Sequence, residues 1–227
     1  MHSGLIDLRA PIEFNAGSLP GAVNLPILDN DERAIVGKTY KNKGKEAALS
    51  LGFELVSGIT REERISSWRE YISNNSAHLI FCYRGGKRSE IAQAWLRESG
   101  VYVDRIKCGY KGLRAELLTI FEKDHSLLLL AGKTGVGKTK ILSEFQQSID
   151  LELLANHRGS AFGRHLNEQP TQGKFENELA VALYKKRDLQ RIIVEDEGKL
   201  IGRISIPKPF QQAMSSSPLV VIEDNLD

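Results

Sequence analysis

The chain has 227 residues, 41% hydrophobic and 26% charged, enough for a packed core. At about 150 residues per domain it holds one large domain or two small ones. Lys and Arg number 31 against 29 Asp and Glu, a formal charge of +2 that by itself signals no nucleic-acid binder but is compatible with a local basic groove. Two cysteines exclude a disulfide scaffold and suit a reducing cytosol. Apolar runs such as Leu127–Ala131 are far too short to cross a bilayer, and Met1-His2-Ser3-Gly4 lacks the basic start and long apolar region of a signal peptide. The expected location is therefore the cytoplasm. A strand-like run is already under way by Leu5 and the sequence stops at Asp227 in mid-pattern, which suggests a piece of a longer protein.

Leu5-Ile6-Asp7-Leu8 reads as a buried strand, and Pro20-Gly21 as a turn before the extended Ala22–Pro26. Residues 29–45 are polar and glycine-dotted, as in an exposed connection. Thr60 with Glu63 forms a capping-box pattern ahead of Ile65, Trp68 and Ile72 at helical spacing. A strand at His78–Phe81, a helix at Ser89–Ser99, a strand from Val101 and a helix from Gly109 through Phe121 complete the first half. After the polar hinge Glu122–Ser126 come the apolar strand Leu127–Ala131, a glycine loop and a helix over Thr139–Ile149. Strands alternating with helices in both halves predict two parallel α/β sheets, in domains 1–122 and 126–227.

Phe81-Cys82-Tyr83-Arg84-Gly85-Gly86-Lys87-Arg88-Ser89 is the sharpest feature of the first half. A strand delivers Cys82 to a glycine loop that runs into a helix, turning backbone N–H groups toward the sulfur. Arg84, Lys87 and Arg88 add positive charge, and together these effects favour a nucleophilic thiolate and an oxyanion-binding loop over Arg84, Gly85, Gly86, Lys87, Arg88 and Ser89. Cys108, before Gly109 without such surroundings, reads as a packing residue.

These residues, with Asp7-Leu8-Arg9, Glu13-Phe14, Gly17–Pro26 and Gly109-Tyr110-Lys111-Gly112, resemble the rhodanese-like domains. The resemblance implies that Cys82 carries sulfur or a heavier chalcogen as a persulfide-type intermediate, with Asp7 and Arg9 supporting the wall of the site. A strand cap and a surface ion pair are the plainer interpretation of those two. Cys82 and Arg88 also have the C-x5-R spacing of cysteine phosphatases, but Phe81 stands where a His is usual, and no convincing Asp acid is present.

Gly132-Lys133-Thr134-Gly135-Val136-Gly137-Lys138-Thr139 matches the phosphate-loop pattern G-x-x-x-x-G-K-[ST] after an apolar strand and before a helix. Glycines let the backbone wrap phosphate oxygens, Lys138 supplies a point charge and Thr139 is placed for a Mg2+ ion. No resident metal beyond that ion is expected. Ile192–Asp196 looks like an acid-tipped strand, but Glu195–Lys199 has turn composition and Leu200–Ile204 reads as a return strand, so a hairpin is preferred. Leu219–Asp224 is an equal candidate for the acid-tipped strand. His157, Arg158, Lys185, Lys186 and Arg187 are candidate RNA contacts, or else a solvated surface.

The pairing of these two domains, with Val36–Lys41, Leu55–Gly58 and His157–Ser160, resembles the tRNA 2-selenouridine synthase family over nearly every residue. The resemblance implies a monomeric transferase acting on tRNA with 2-thiouridine at the wobble position. It would use geranyl diphosphate to make an S-geranyl intermediate and selenophosphate to replace sulfur by selenium, with Cys82 as the selenium carrier. In that scheme the phosphate loop holds the diphosphate. Rival expectations are a sulfurtransferase coupled to an ATPase and a non-enzymatic nucleotide-binding regulator.

Overall fold

The computed structural model describes residues 4–75, 79–133, 135–157 and 168–223. The chain divides into two compact units, Met1–Arg114 and Ala115–Asp227, each with its own core. The expected α/β architecture with parallel sheets is present in both.

In the first unit the order is β1 (Leu5–Asp7), α1 (Pro11–Asn15), β2 (Val23–Asn24), α2 (Asn30–Leu55), α3 (Gly58–Asn75), β3 (Leu79–Phe81), α4 (Lys87–Glu98), β4 (Asp104–Arg105) and the start of α5 (Gly109–Thr119). The strands align in the order β2-β1-β3-β4, all parallel. Parallel strands buried on both faces need apolar runs, and Ile6, Leu8, Ile80 and Phe81 are wholly buried. Trp68 and Trp95 stack 6.3 Å apart in the same core.

Residues 29–45, expected as a connection, instead fall largely in the 26-residue α2. Its start is fixed by Asp29, whose side chain accepts the Glu32 amide at 2.8 Å while Glu32 accepts the Asp29 amide at 2.7 Å. That reciprocal cap was the missed signal. Apolar periodicity failed because the helix is mostly exposed and buries only Ala48 fully. Gly44, at φ 86° and ψ −175°, breaks it into two segments. Thr60 lies inside the first turn of α3 rather than at its cap.

In the second unit β5 (Leu127–Gly132), α6 (Lys138–Ser143), β6 (Ser148–Ile149), α7 (Leu151–Leu154), α8 (Gln172–Lys186), β7 (Ile192–Glu195), β8 (Leu200–Ile201), β9 (Ile204–Ser205), α9 (Lys208–Ser215) and β10 (Leu219–Ile222) follow. The main sheet runs β10-β5-β7-β6, all parallel, and its core takes Phe175, Leu179, Val194 and Phe210. The helix expected to reach Ile149 ends at Ser143; Ser148 Oγ then donates to the Leu142 and Phe145 carbonyls at 2.6 and 2.8 Å as the chain enters β6. The preferred hairpin is also overturned. β7 pairs in parallel with β5 and β6, and Leu200–Ile201 pairs antiparallel with Ile204–Ser205. The turn-like acids therefore sit at the tip of a central strand. Among the described residues no helix is long and apolar enough to cross a membrane.

Candidate active site loops

In the first unit β3 ends at Phe81 and places Cys82 at the mouth of a loop that enters α4. The thiol is buried, 3.3 Å from the Ser89 hydroxyl and 3.8 Å from the Gly86 carbonyl. Ser89 Oγ in turn donates to the Gly86 carbonyl at 3.0 Å. The loop packs tightly on the chain entering α5: the Tyr110 amide donates to the Cys82 carbonyl at 2.9 Å, and Arg105 donates to the Gly85 carbonyl. A Cβ on Gly85 would lie 2.1 Å from the Lys107 carbonyl oxygen, and one on Gly109 2.3 Å from the Gly85 nitrogen. Both residues also have φ above +60°, so only glycine fits either position.

Beneath the loop, Arg9 holds Asp7 in a forked pair, Nε to Oδ1 at 3.0 Å and Nη2 to Oδ2 at 2.6 Å, and donates to the Gly17 carbonyl at 2.8 Å. Its guanidinium lies 3.6 Å from the centre of the Tyr110 ring. Both members are buried, so this is no surface ion pair but a rigid support running through Tyr110 to the Cys82 backbone.

The three cations of the loop differ in their commitments. Arg88 is forked onto Glu13, Nη1 to Oε2 at 2.6 Å and Nη2 to Oε1 at 3.2 Å. Burial pulls the Arg88 pKa down, but the hydrogen bonds and charge of Glu13 outweigh it and raise it. Lys87 pairs with Glu90 at 2.8 Å. Arg84 is exposed and makes no ion pair among the described residues, which leaves it the most available cation for an incoming anion.

In the second unit β5 leads into the glycine loop, where Gly135 and Gly137 both have φ 91°. Lys138 Nζ reaches back to the Gly132 carbonyl at 3.0 Å, and Thr139 is exposed at the start of α6. Next to this loop, Glu195 of β7 lies in register with Leu130, and the Asp196 amide donates to the Leu130 carbonyl at 3.0 Å. Glu195 has no exposed surface, and neither of its carboxylate oxygens meets a hydrogen-bond donor among the described residues. Burial, then the charges of Asp150, Glu152 and Glu197, push its pKa up to about 8; Glu197 rises to about 7 through burial and Glu152. Ligand oxygens of Glu152, Glu195 and Glu197 lie within 4.8 Å of one another. Three hard oxygen donors with an unsatisfied buried member fit a Mg2+ ion. Glu223, at the end of β10, is exposed, so the buried acid is on β7; Asp224 lies outside the described residues.

The rhodanese-like domain family matches residues 1–116, just over half of the chain. The chain belongs to that family. Residues 125–227 match the tRNA 2-selenouridine synthase AAA domain. Proteins named tRNA 2-selenouridine synthase are similar over almost the whole chain: that of Hahella chejuensis is 47% identical over 229 residues, covering 98% of this chain and 60% of its own length. Those of Shewanella denitrificans and a Sulfurovum species are 45% and 47% identical, covering 97% and 96% of this chain and 62% of each relative. The chain thus spans about three-fifths of the length of these relatives.

In the rhodanese-like unit Cys82 to Gly86 form the loop, and Lys87, Arg88 and Ser89 lie in the first turn of α4. The unit's other cysteine departs from expectation: Cys108 is exposed in the turn between β4 and α5 instead of packed. In the second unit Gly132, Lys133, Gly135, Val136, Gly137, Lys138 and Thr139 form the loop and helix start, while Thr134 lies outside the described residues. The expected RNA contacts scatter. His157 is buried, its Cδ2 close to Gly202, and so is withdrawn from an RNA surface; Arg158 lies outside the described residues. Lys185 is exposed at the end of α8, Lys186 donates to the Gln146 carbonyl, and Arg187 stacks 4.0 Å from the Tyr184 ring centre. Glu13, Glu152 and Tyr110 were not assigned a role from sequence, because their partners are distant along the chain.

Proposed function

We propose that this chain carries the two reactive units of a tRNA 2-selenouridine synthase, acting in the cytoplasm on tRNA with 2-thiouridine at the wobble position. The observation that carries the proposal is the buried Cys82 thiol on its braced loop in a chain whose other unit has a phosphate loop and an adjacent buried acid. In the first reaction the thiouridine sulfur attacks the first carbon of geranyl diphosphate; the C–O bond breaks and diphosphate leaves toward Lys138 and the loop amides. The Glu152–Glu195–Glu197 cluster, with Thr139 at the start of α6, would hold a Mg2+ ion, which would neutralise diphosphate charge when bound. In the second, the Cys82 sulfur attacks the phosphorus of selenophosphate, an S–P bond forming as the P–Se bond breaks. The released hydroselenide attacks C2, the C2–S bond breaks and geranyl thiol departs. Water then hydrolyses the S-phosphocysteine, returning phosphate and the Cys82 thiol.

Arg84 meets the selenophosphate oxyanion, while Arg88 and Glu13 hold the loop in shape. The test is Cys82→Ser, assayed by nucleoside mass spectrometry on thiolated tRNA. Geranylated nucleoside accumulates and 2-selenouridine is lost; normal 2-selenouridine from the variant removes Cys82 from the mechanism.

A further inference from the structure

Beside the Cys82 loop the rhodanese-like unit has a second feature, a groove of about 400 Å3 between α2 and α4. That volume is in the range of small-molecule sites, about 300–1,000 Å3. Val36, Leu49 and Phe53 line it from α2, and Ile91 and Trp95 from α4. The walls are apolar, and Tyr40 and Phe53 leave large parts of their rings in solvent, 59% and 45% exposed. The lining changes character at one place. Lys87 and Arg88, at the first turn of α4, also line the groove, with Lys45 from α2.

Arg88, Ile91 and Trp95 are spaced i, i+3, i+7 and so share a face of α4, covering about 10 Å along its axis. The cationic end of that face is the turn that carries Ser89, whose hydroxyl contacts the Cys82 sulfur at 3.3 Å. The groove thus has its cationic end at Lys87 and Arg88, the residues that immediately precede Ser89 in the same helical turn. Such a lining matches an apolar chain attached to an anionic body. It offers few polar groups to a nucleotide base or a sugar.

We infer that this groove receives the geranyl group of the S-geranyl intermediate while selenium released beside Cys82 reaches the base, the tRNA phosphates lying toward Lys45 and Lys87. This rests on the function proposed above and adds to it a location: the apolar chain of the leaving thiol is bound in the unit that carries Cys82. Gly52 supplies the means of testing it. It lines the groove from within α2, and a Cβ added there meets nothing within 4 Å, so the position has open space for a substituent. Leucine is also the better helix former.

The probes are S-geranyl-2-thiouridine 5′-monophosphate and its ungeranylated counterpart, titrated into the full chain and followed by tryptophan fluorescence, Trp95 being in the groove wall. The geranylated nucleotide binds at least about tenfold more tightly. Gly52→Leu and, separately, Ile91→Lys abolish that preference without lowering the affinity for the ungeranylated probe. Equal binding of the two nucleotides, or a preference that survives both substitutions, overturns the assignment. So does a change of oligomeric state in Gly52→Leu with ligand preference intact, which would mark the groove as a contact between copies. Because the assay contains no selenium donor, its failure is distinct from 2-selenouridine formation by Cys82→Ser, which would sink the proposed function alone.

Discussion

Glu195 shows what one residue can cost and what it can do. A carboxyl with no exposed surface and no donor among the described residues resists ionisation, and the neighbouring Asp150, Glu152 and Glu197 add to that resistance. With its pKa raised from 4.5 to about 8, the folded chain binds more protons than the unfolded chain between those values. Stability without metal therefore falls as pH climbs from about 4.5 toward 8, and the full penalty remains above 8. Glu195→Gln removes the share of this slope that belongs to Glu195, leaving that of Glu197 up to about pH 7: with chelator present, its urea midpoint changes less across the range and exceeds that of the parent above pH 8. Millimolar Mg2+ raises the parent midpoint there and leaves the Gln variant nearly unmoved. A slope unchanged by the substitution would assign the pH dependence to other groups.

At the scale of elements, α2 carries a local backbone constraint. Gly44 has a backbone conformation open essentially to glycine, so Gly44→Ala costs about 1–3 kcal/mol. Gly37→Ala, in a regular and uncrowded stretch of the same helix, stabilises by about 0.5–1 kcal/mol instead. Both tryptophans, Trp68 and Trp95, belong to the first unit's core, so denaturation followed by their fluorescence reports this helix without contribution from the second unit. Equal effects of the two substitutions would contradict the break at Gly44. The same helix explains what sequence could and could not convey. Short buried strands such as β3 and β5 were legible because a run buried on both faces must be apolar. The two glycine loops were legible because close backbone approach admits few residue types. An exposed helix has no such requirement, and only its Asp29–Glu32 cap marked it. The register that sets Glu195 beside the phosphate loop depends on β7 pairing with β5, which composition around Glu195–Lys199 does not encode. Arg88 was legible as a loop cation, whereas its fork onto Glu13 joins residues far apart in sequence.

At the scale of the whole molecule, two units with separate cores each carry one reactive loop, Cys82 in one and Lys138 in the other. If each loop serves one of the two proposed reactions, damage to either is separable by supplying the product of the first. In the proposed geranylation Lys138 is the point charge assigned to the departing diphosphate, and removing a preorganised group of this kind costs on the order of 10²- to 10³-fold in rate. Lys138→Ala is accordingly expected to slow S-geranylation of thiolated tRNA by about 10²-fold or more. Given tRNA that is already geranylated, with selenophosphate, the same variant should form 2-selenouridine at the parent rate. Cys82→Ser should fail on that substrate, since its defect lies in the second reaction. Nucleoside mass spectrometry over time distinguishes the cases. Unchanged geranylation by Lys138→Ala would remove the phosphate loop as the donor site. Failure of both variants on geranylated tRNA, with both still folded, would mean that the second unit takes part in selenium delivery, and the division of labour between the loops would have to be abandoned.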